Sequence, residues 1–182
     1  MIEQSPVRAS EAGLVLSRLS YRSLQRLVAL VIALHNAEEA VTADAYLPRV
    51  REIIERIPAL RDAGVVPPSL TRLYLALAVV TLVPALIVAW ATTGRDSLVK
   101  RQIVAFIAAA LLWNVFLPHL SAMVLLRGYA PGGLTALAVN LPFCLYFFQR
   151  SSRDGMLTQR QIAITLLVGL LLLVIAPLLL LL

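Results

Sequence analysis

Glu38 and Glu39 stand side by side in an otherwise apolar stretch of helix-forming length, with His35 three and four residues before them. A carboxylate in hydrocarbon costs roughly 2.5–3.5 kcal/mol even on lenient scales. Eight of the ten acidic residues lie in polar segments, so these two are the exceptions that require a reason. They must pair with cations, bind a metal, share a proton or face water. On a helix, residues three and four apart share a face. At ~100° per residue, His35, Glu38 and Glu39 project within one arc and Asn36 points away from its centre.

Both histidines of the chain fit one chemistry. His35, His119 and either Glu39 or Glu38 supply two imidazoles and one carboxylate, a donor set suited to zinc or another divalent transition metal with a coordination position left for water. We take Glu39 with His35 and His119 as the metal set. Glu38 is then free as a general base toward a bound water. Without a metal, no cofactor is needed, and Glu38, Glu39, His35 and His119 are the catalytic groups for proton transfer. Asn114 and Asn140 are the expected orienting groups, and Trp113 is a residue that could line a substrate pocket. The rival is a hydrogen-bonded polar network that fixes helix packing and catalyses nothing.

The elements that carry these residues follow from composition. Of the 182 residues 60% are hydrophobic and 14% charged, with a mean hydropathy of +0.85. A soluble domain keeps about a quarter of its residues charged. The pattern predicts an all-α polytopic transmembrane bundle of about five spans, near 24–43, 70–91, 103–126, 134–148 and 162–182. Residues 1–23 form a polar N-terminal segment, with a short surface helix around Leu14, Leu16 and Leu19, and 24–182 a single membrane domain. Residues 44–64 alternate apolar and charged positions at helical spacing. They predict an amphipathic helix lying in the headgroup plane, ended by Gly64 and Pro67-Pro68. Pro84 is a site for a kink, and Gly132-Gly133 a turn that allows positive φ.

With the N-terminus inside, ten Lys and Arg fall in the inner segments and six in the outer ones, out of 16, which favours N-in and C-out. At ~1.5 Å per residue, His35 and Asn114 lie ~17 Å from the inner ends of their spans, the glutamates ~21–23 Å and His119 ~24 Å. Asn140, reached from the outer side, lies ~18 Å from the inner face of a ~30 Å core. The strongly polar intramembrane residues therefore share one layer in the outer half.

The net charge of +6 flanks apolar runs and is not interleaved with aromatics, which argues for lipid headgroups and against nucleic acid. Cys144 is the single cysteine, so no intramolecular disulfide and no polythiolate zinc site can form. Walker, dinucleotide-binding and nucleophile-elbow motifs are absent. An ion-coupled transporter is disfavoured by the lack of an internal repeat.

The segment Leu34-His35-Asn36-Ala37-Glu38-Glu39 resembles the signature of the HXXEE family, which is named for that motif. Asn114 to His119, the stretch Tyr129 to Ala136, and Asn140 with Pro142 resemble that family's later blocks, over roughly residues 27–145 in all. The resemblance implies a membrane protein with its site at these positions. It implies no reaction, because the family has no assigned function.

The expected function is an intramembrane enzyme acting on a lipid or isoprenoid substrate, by metal-assisted hydrolysis or by acid–base chemistry such as isomerisation or cyclisation. The alternative is a non-catalytic membrane subunit or scaffold. Expected partners are membrane lipids and a lipid-like small molecule, with a homo-oligomer or a larger membrane complex left open. The expected location is a bacterial plasma membrane.

Overall fold

The computed structural model describes residues 19–62 and 69–179. The surface helix expected around Leu14, the turn at Gly64 and Pro67-Pro68, and the last three leucines lie outside the described residues. What is described is helical, with no strand: α1 (Tyr21–Arg56), α2 (Pro58–Asp62), α3 (Leu70–Ala91), α4 (Leu98–Asn114), α5 (Ser121–Leu126), α6 (Gly133–Thr135), α7 (Leu141–Arg153) and α8 (Gln159–Leu179). Two π-helical segments complete the set. Val115–Leu120 joins α4 to α5, and Ala136–Asn140 joins α6 to α7.

Among the described residues, two helical runs are long and apolar enough to cross a membrane: Leu70–Ala91, of 22 residues, and Leu98–Leu126, of 29. The serines before them set their starts. Ser69 and Ser97 each accept a backbone N–H from the residue three places on, Arg72 and Lys100, which satisfies one of the unpaired donors of a helix N-terminus. Pro84 lies inside α3, which remains one element.

Two boundaries differ from expectation. The amphipathic stretch after Ala43 is not a separate helix. It continues α1 through Pro48 to Arg56, giving one helix of 36 residues, ~54 Å long at 1.5 Å per residue. Nothing between Ala43 and Asp44 stops a helix. The change there is from apolar to charged side chains, which alters the preferred solvent and leaves the backbone bonds intact. The fourth apolar run also extends further, helical from Gly133 to Arg153, because the Gly132-Gly133 turn feeds directly into it.

The core is built around α4. Val104, Ala105, Ala108 and Ala109 are fully enclosed and pack with Leu24, Val28 and Val31 of α1, Val88 of α3 and Phe143, Cys144 and Phe147 of α7. The small residues let α8 come close: a Cβ on Gly169 would stand 3.0 Å from Ala109 Cβ and 3.4 Å from the Ala109 backbone. Gly169→Leu is therefore expected to lower stability by about 1–3 kcal/mol through overpacking, read as a fall in the thermal midpoint of the purified protein. The outward faces remain strongly apolar, with Leu75, Val79, Leu82, Leu86 and Trp90 of α3 exposed.

The hairpin between α3 and α4 is tied by Arg101, which donates to Asp96 from Nε at 2.8 Å and from a second nitrogen. That hydrogen bond holds the Asp96 carboxyl below the usual carboxylate range. At the same end Tyr21 Oη donates to Ser151 Oγ at 2.9 Å, which in turn donates to the Phe147 carbonyl at 2.7 Å.

Candidate metal centre

His35 on α1 and His119 on the first π-helical segment face each other through Nε2, 2.9 Å apart, with the rings edge-on at 88°. Both are buried. The opposite ring nitrogens are anchored. His119 Nδ1 lies 2.8 Å from the Pro131 carbonyl, which can only accept, so this nitrogen carries a proton and, in the neutral ring, Nε2 is a bare lone pair. His35 Nδ1 lies 2.9 Å from Thr135 Oγ1, and Thr135 Oγ1 lies 3.3 Å from the Gly132 carbonyl.

Two proton arrangements are compatible with the Nδ1 anchors, and they differ in whether a hydrogen lies between the two Nε2 atoms. In one, Thr135 donates to His35 Nδ1 and His35 Nε2–H donates to His119. In the other, His35 Nδ1–H donates to Thr135, Thr135 donates to Gly132, and both Nε2 lone pairs point into the same space. The second is the pattern of metal-ligating histidines, each holding its other N–H on an acceptor. Passing between the two moves protons within the cluster and releases none.

Two more groups complete the centre. Asn114 places its side-chain Nδ2 3.0 Å from His35 Nε2 and 2.9 Å from His119 Nε2. Glu39, one helical turn beyond His35, offers a carboxylate oxygen that, with one nitrogen from each histidine, lies in a group whose atoms are all within 4.8 Å of one another. No hydrogen bond or ion pair engages the Glu39 carboxylate among the described residues. The donor set of two imidazoles and one carboxylate fits a divalent transition metal.

Glu38 has a different task. Its carboxylate accepts the backbone N–H of Leu134 at 3.1 Å and of Thr135 at 2.7 Å, and the hydroxyl of Tyr129. A carboxylate at the first turn of a helix satisfies unpaired N–H groups and meets the positive end of the helix dipole. Glu38 thus clamps the turn that supplies Pro131, Gly132 and Thr135 to the histidines. It is a positioning residue, and as placed it is committed to that turn and not free as a general base. Tyr129 belongs to the same clamp and also packs on Tyr46, with ring centroids 5.3 Å apart.

A cavity of about 540 Å³ opens onto this cluster. His35, Asn36, Glu39 and Asn114 form its polar end. Its walls are Ile32, Leu73, Ala76, Leu77, Val79, Val80, Val83, Pro84, Ile107, Ala110, Leu111 and Leu173, all apolar. Asn36 is turned toward α3, donating to Thr81 Oγ1 at 2.7 Å.

Of two further residues expected at the site, Trp113 stands apart from it and Asn140 makes no hydrogen bond to it. Trp113 donates its indole N–H to the Leu166 carbonyl at 2.8 Å, joining α4 to α8, and does not line the cavity. One position from Asn114, its side chain is turned ~100° away from the cluster. Asn140 is fully buried at the end of the second π-helical segment, and its amide makes no hydrogen bond to the cluster. Neither amide atom has a partner among the described residues. Conversely, Thr135 and the carbonyls of Pro131 and Gly132 were missed. A backbone carbonyl leaves no signature in sequence. The one available signal was that Tyr129 to Ala136 stood out as a block.

The sequence model of a family described as "Protein of unknown function with HXXEE motif" matches residues 26–147, which contain every residue of the cluster. The uncharacterized protein YrkK of Bacillus subtilis (strain 168) is 29% identical over 149 residues, 81% of this chain and 87% of that protein. No solved structure matches.

Proposed function

This chain belongs to the family of proteins of unknown function with an HXXEE motif, and we propose that it is an intramembrane metal-dependent hydrolase of a lipid or isoprenoid substrate. The observation that carries the reading is the facing pair of Nε2 nitrogens, each ring fixed from behind, with the unpartnered Glu39 carboxylate beside them. Such a carboxylate in an apolar setting costs several kcal/mol unless a cation meets it.

His35, His119 and Glu39 would hold the metal, with Asn114 against the remaining side. When bound, a divalent metal supplies Lewis-acid polarisation of a water or of a carbonyl or phosphoryl oxygen. Thr135 and Pro131 fix the imidazole orientation, Glu38 fixes the turn, and the apolar cavity walls exclude bulk water and accept hydrocarbon. A pocket this apolar with a few convergent polar groups suits a ligand that is mostly hydrocarbon with one reactive polar function.

The membrane setting is part of the proposal. Five spans, with the N-terminus inside and the C-terminus outside, in a bacterial plasma membrane, are supported by the two long apolar helices, the exposed aliphatic face of α3 and the distribution of basic residues. Substrate would then enter sideways from the outer leaflet, between α1, α3 and α4.

Elemental mass spectrometry of detergent-purified protein tests the reading directly. Near-stoichiometric zinc, iron or manganese is expected, and its loss when His35 and His119 are both changed to Ala. Metal-free protein from a chelator-free preparation would sink the metalloenzyme. The rival, a scaffold held by the polar network, draws on the hydrogen-bond contacts that His35, His119, Asn114 and Thr135 make with one another. It leaves Glu39 unexplained.

A further inference from the structure

We propose that a second pocket, between the C-terminal half of α1 and the end of α5, binds a phosphate group, carried on an anionic lipid headgroup or free in solution. The pocket encloses about 400 Å³ and is lined by Arg49, Glu52, Arg56, Leu125, Leu126 and Arg127. Three guanidinium groups meet one carboxylate. That carboxylate is taken: Glu52 pairs with Arg56 at 2.6 Å, one turn along the same helix.

Arg49 and Arg127 are therefore left without a carboxylate among the described residues. Arg49 is held in place by donating one N–H to the Leu126 carbonyl at 2.7 Å, which also satisfies the end of α5. A guanidinium has five N–H donors, so four remain. Arg127 comes from the other wall. It sits in the left-handed region, with φ +49°, the one non-glycine residue of positive φ among the described residues. Capping α5 requires neither its guanidinium nor a residue with a Cβ, since glycine adopts this conformation at less cost. Two planar forks from two elements, one of them pre-anchored, are the donor type that takes phosphate oxygens in bidentate fashion.

The location suits an amphiphile. Arg49 lies ten residues beyond Glu39 on α1, ~15 Å along the helix axis, beyond the apolar cavity. The inference does not depend on a metal at His35 and His119.

The test uses the full chain in phosphatidylcholine nanodiscs containing a minor fraction of phosphatidic acid, with retained lipid counted by native mass spectrometry. Binding of inorganic phosphate is measured separately at constant ionic strength. The wild-type protein is expected to retain phosphatidic acid preferentially. Arg127→Gly is expected to lose that preference by about tenfold or more, the loss of a charge-assisted pair. Its melting temperature should be unchanged or raised, because glycine relieves the backbone, and its metal content should be unchanged. Arg127→Lys, which keeps the charge and loses the fork, should fall between. Saturable phosphate binding that displaces the lipid identifies free phosphate as the source, and lipid retention indifferent to phosphate identifies the headgroup. The proposal is overturned if Arg127→Gly holds phosphatidic acid and phosphate as the wild type does, or if the wild type prefers neither.

Discussion

Glu39→Gln is expected to empty the metal centre while leaving the fold intact, and Glu38→Gln to loosen the fold first. The two residues are neighbours with opposite surroundings. The Glu39 carboxylate has no partner among the described residues and faces the cavity beside two imidazoles. Its amide counterpart keeps the shape but loses the charge that a divalent cation needs. Metal affinity should fall by more than the ~10–100-fold that the loss of an outer partner costs. Stability should hold or rise, because an uncompensated charge in an apolar setting is removed and functional sites commonly reduce stability. Glu38 accepts two backbone N–H groups and a phenol. Glutamine offers one acceptor oxygen where the carboxylate offers two, and turns a donor toward donors. That mismatch should cost about 2–3 kcal/mol. Thermal unfolding and metal content measured on both variants separate the roles. Retained metal in Glu39→Gln, or an unshifted midpoint in Glu38→Gln, would reject the division. Equal destabilisation of both, in protein that never holds metal, would favour the scaffold.

The contrast also marks how far the sequence could be read. The spacing of His35, Glu38 and Glu39 was enough to place them on one arc of one helix, because three- and four-residue intervals are the period of the element itself. Spacing alone does not separate the two glutamates, and the metal set chosen, with Glu39, is the one whose donor atoms the structure brings together. The two differ by ~100° around α1, and the choice depends on the 129–135 turn on one side and the cavity beside α3 on the other. Sequence gives depth along an axis and not direction around it, so Trp113 shares the layer of the cluster without facing it.

The relation of Asn114 to His119 was hidden for a sharper reason. Five residues in an α-helix turn ~500°, which leaves the pair ~140° apart on opposite sides. In the structure they meet at 2.9 Å, because the chain from Val115 to Leu120 is π-helical. Pro118 is the local cause. It has no N–H to return to the Asn114 carbonyl four residues back, and its ring crowds that carbonyl, so the helix widens there. π-segments are short and often mark functional sites. The second, Ala136–Asn140, follows the turn that holds the histidines from behind. Both departures from regular geometry thus flank the one cluster that needs side chains at non-helical intervals.

Gly132→Ala is expected to be the most damaging Gly-to-Ala change among the described residues. Gly132 has φ +74°, a left-handed conformation that costs an alanine about 1–2 kcal/mol. The added carbon would also stand 2.7 Å from His119 Cε1 and 2.9 Å from His35 Cε1, closer than real contacts allow. Neither ring can retreat along its own plane without losing its Nδ1 anchor on Pro131 or Thr135. Relief must come from pushing the imidazoles apart or lifting the turn, and Glu38 resists the second. We expect a loss of about 3 kcal/mol or more, summing backbone strain and overpacking, together with loss of bound metal. Gly133→Ala is the control. Its nearest contact, Met123 Sδ at 2.9 Å, belongs to a flexible side chain that can move aside, so metal should be retained and the midpoint shift should be small. If Gly132→Ala binds metal as tightly as wild type, the two imidazoles are not held by the turn, and the centre must be organised from α1 and α4 alone.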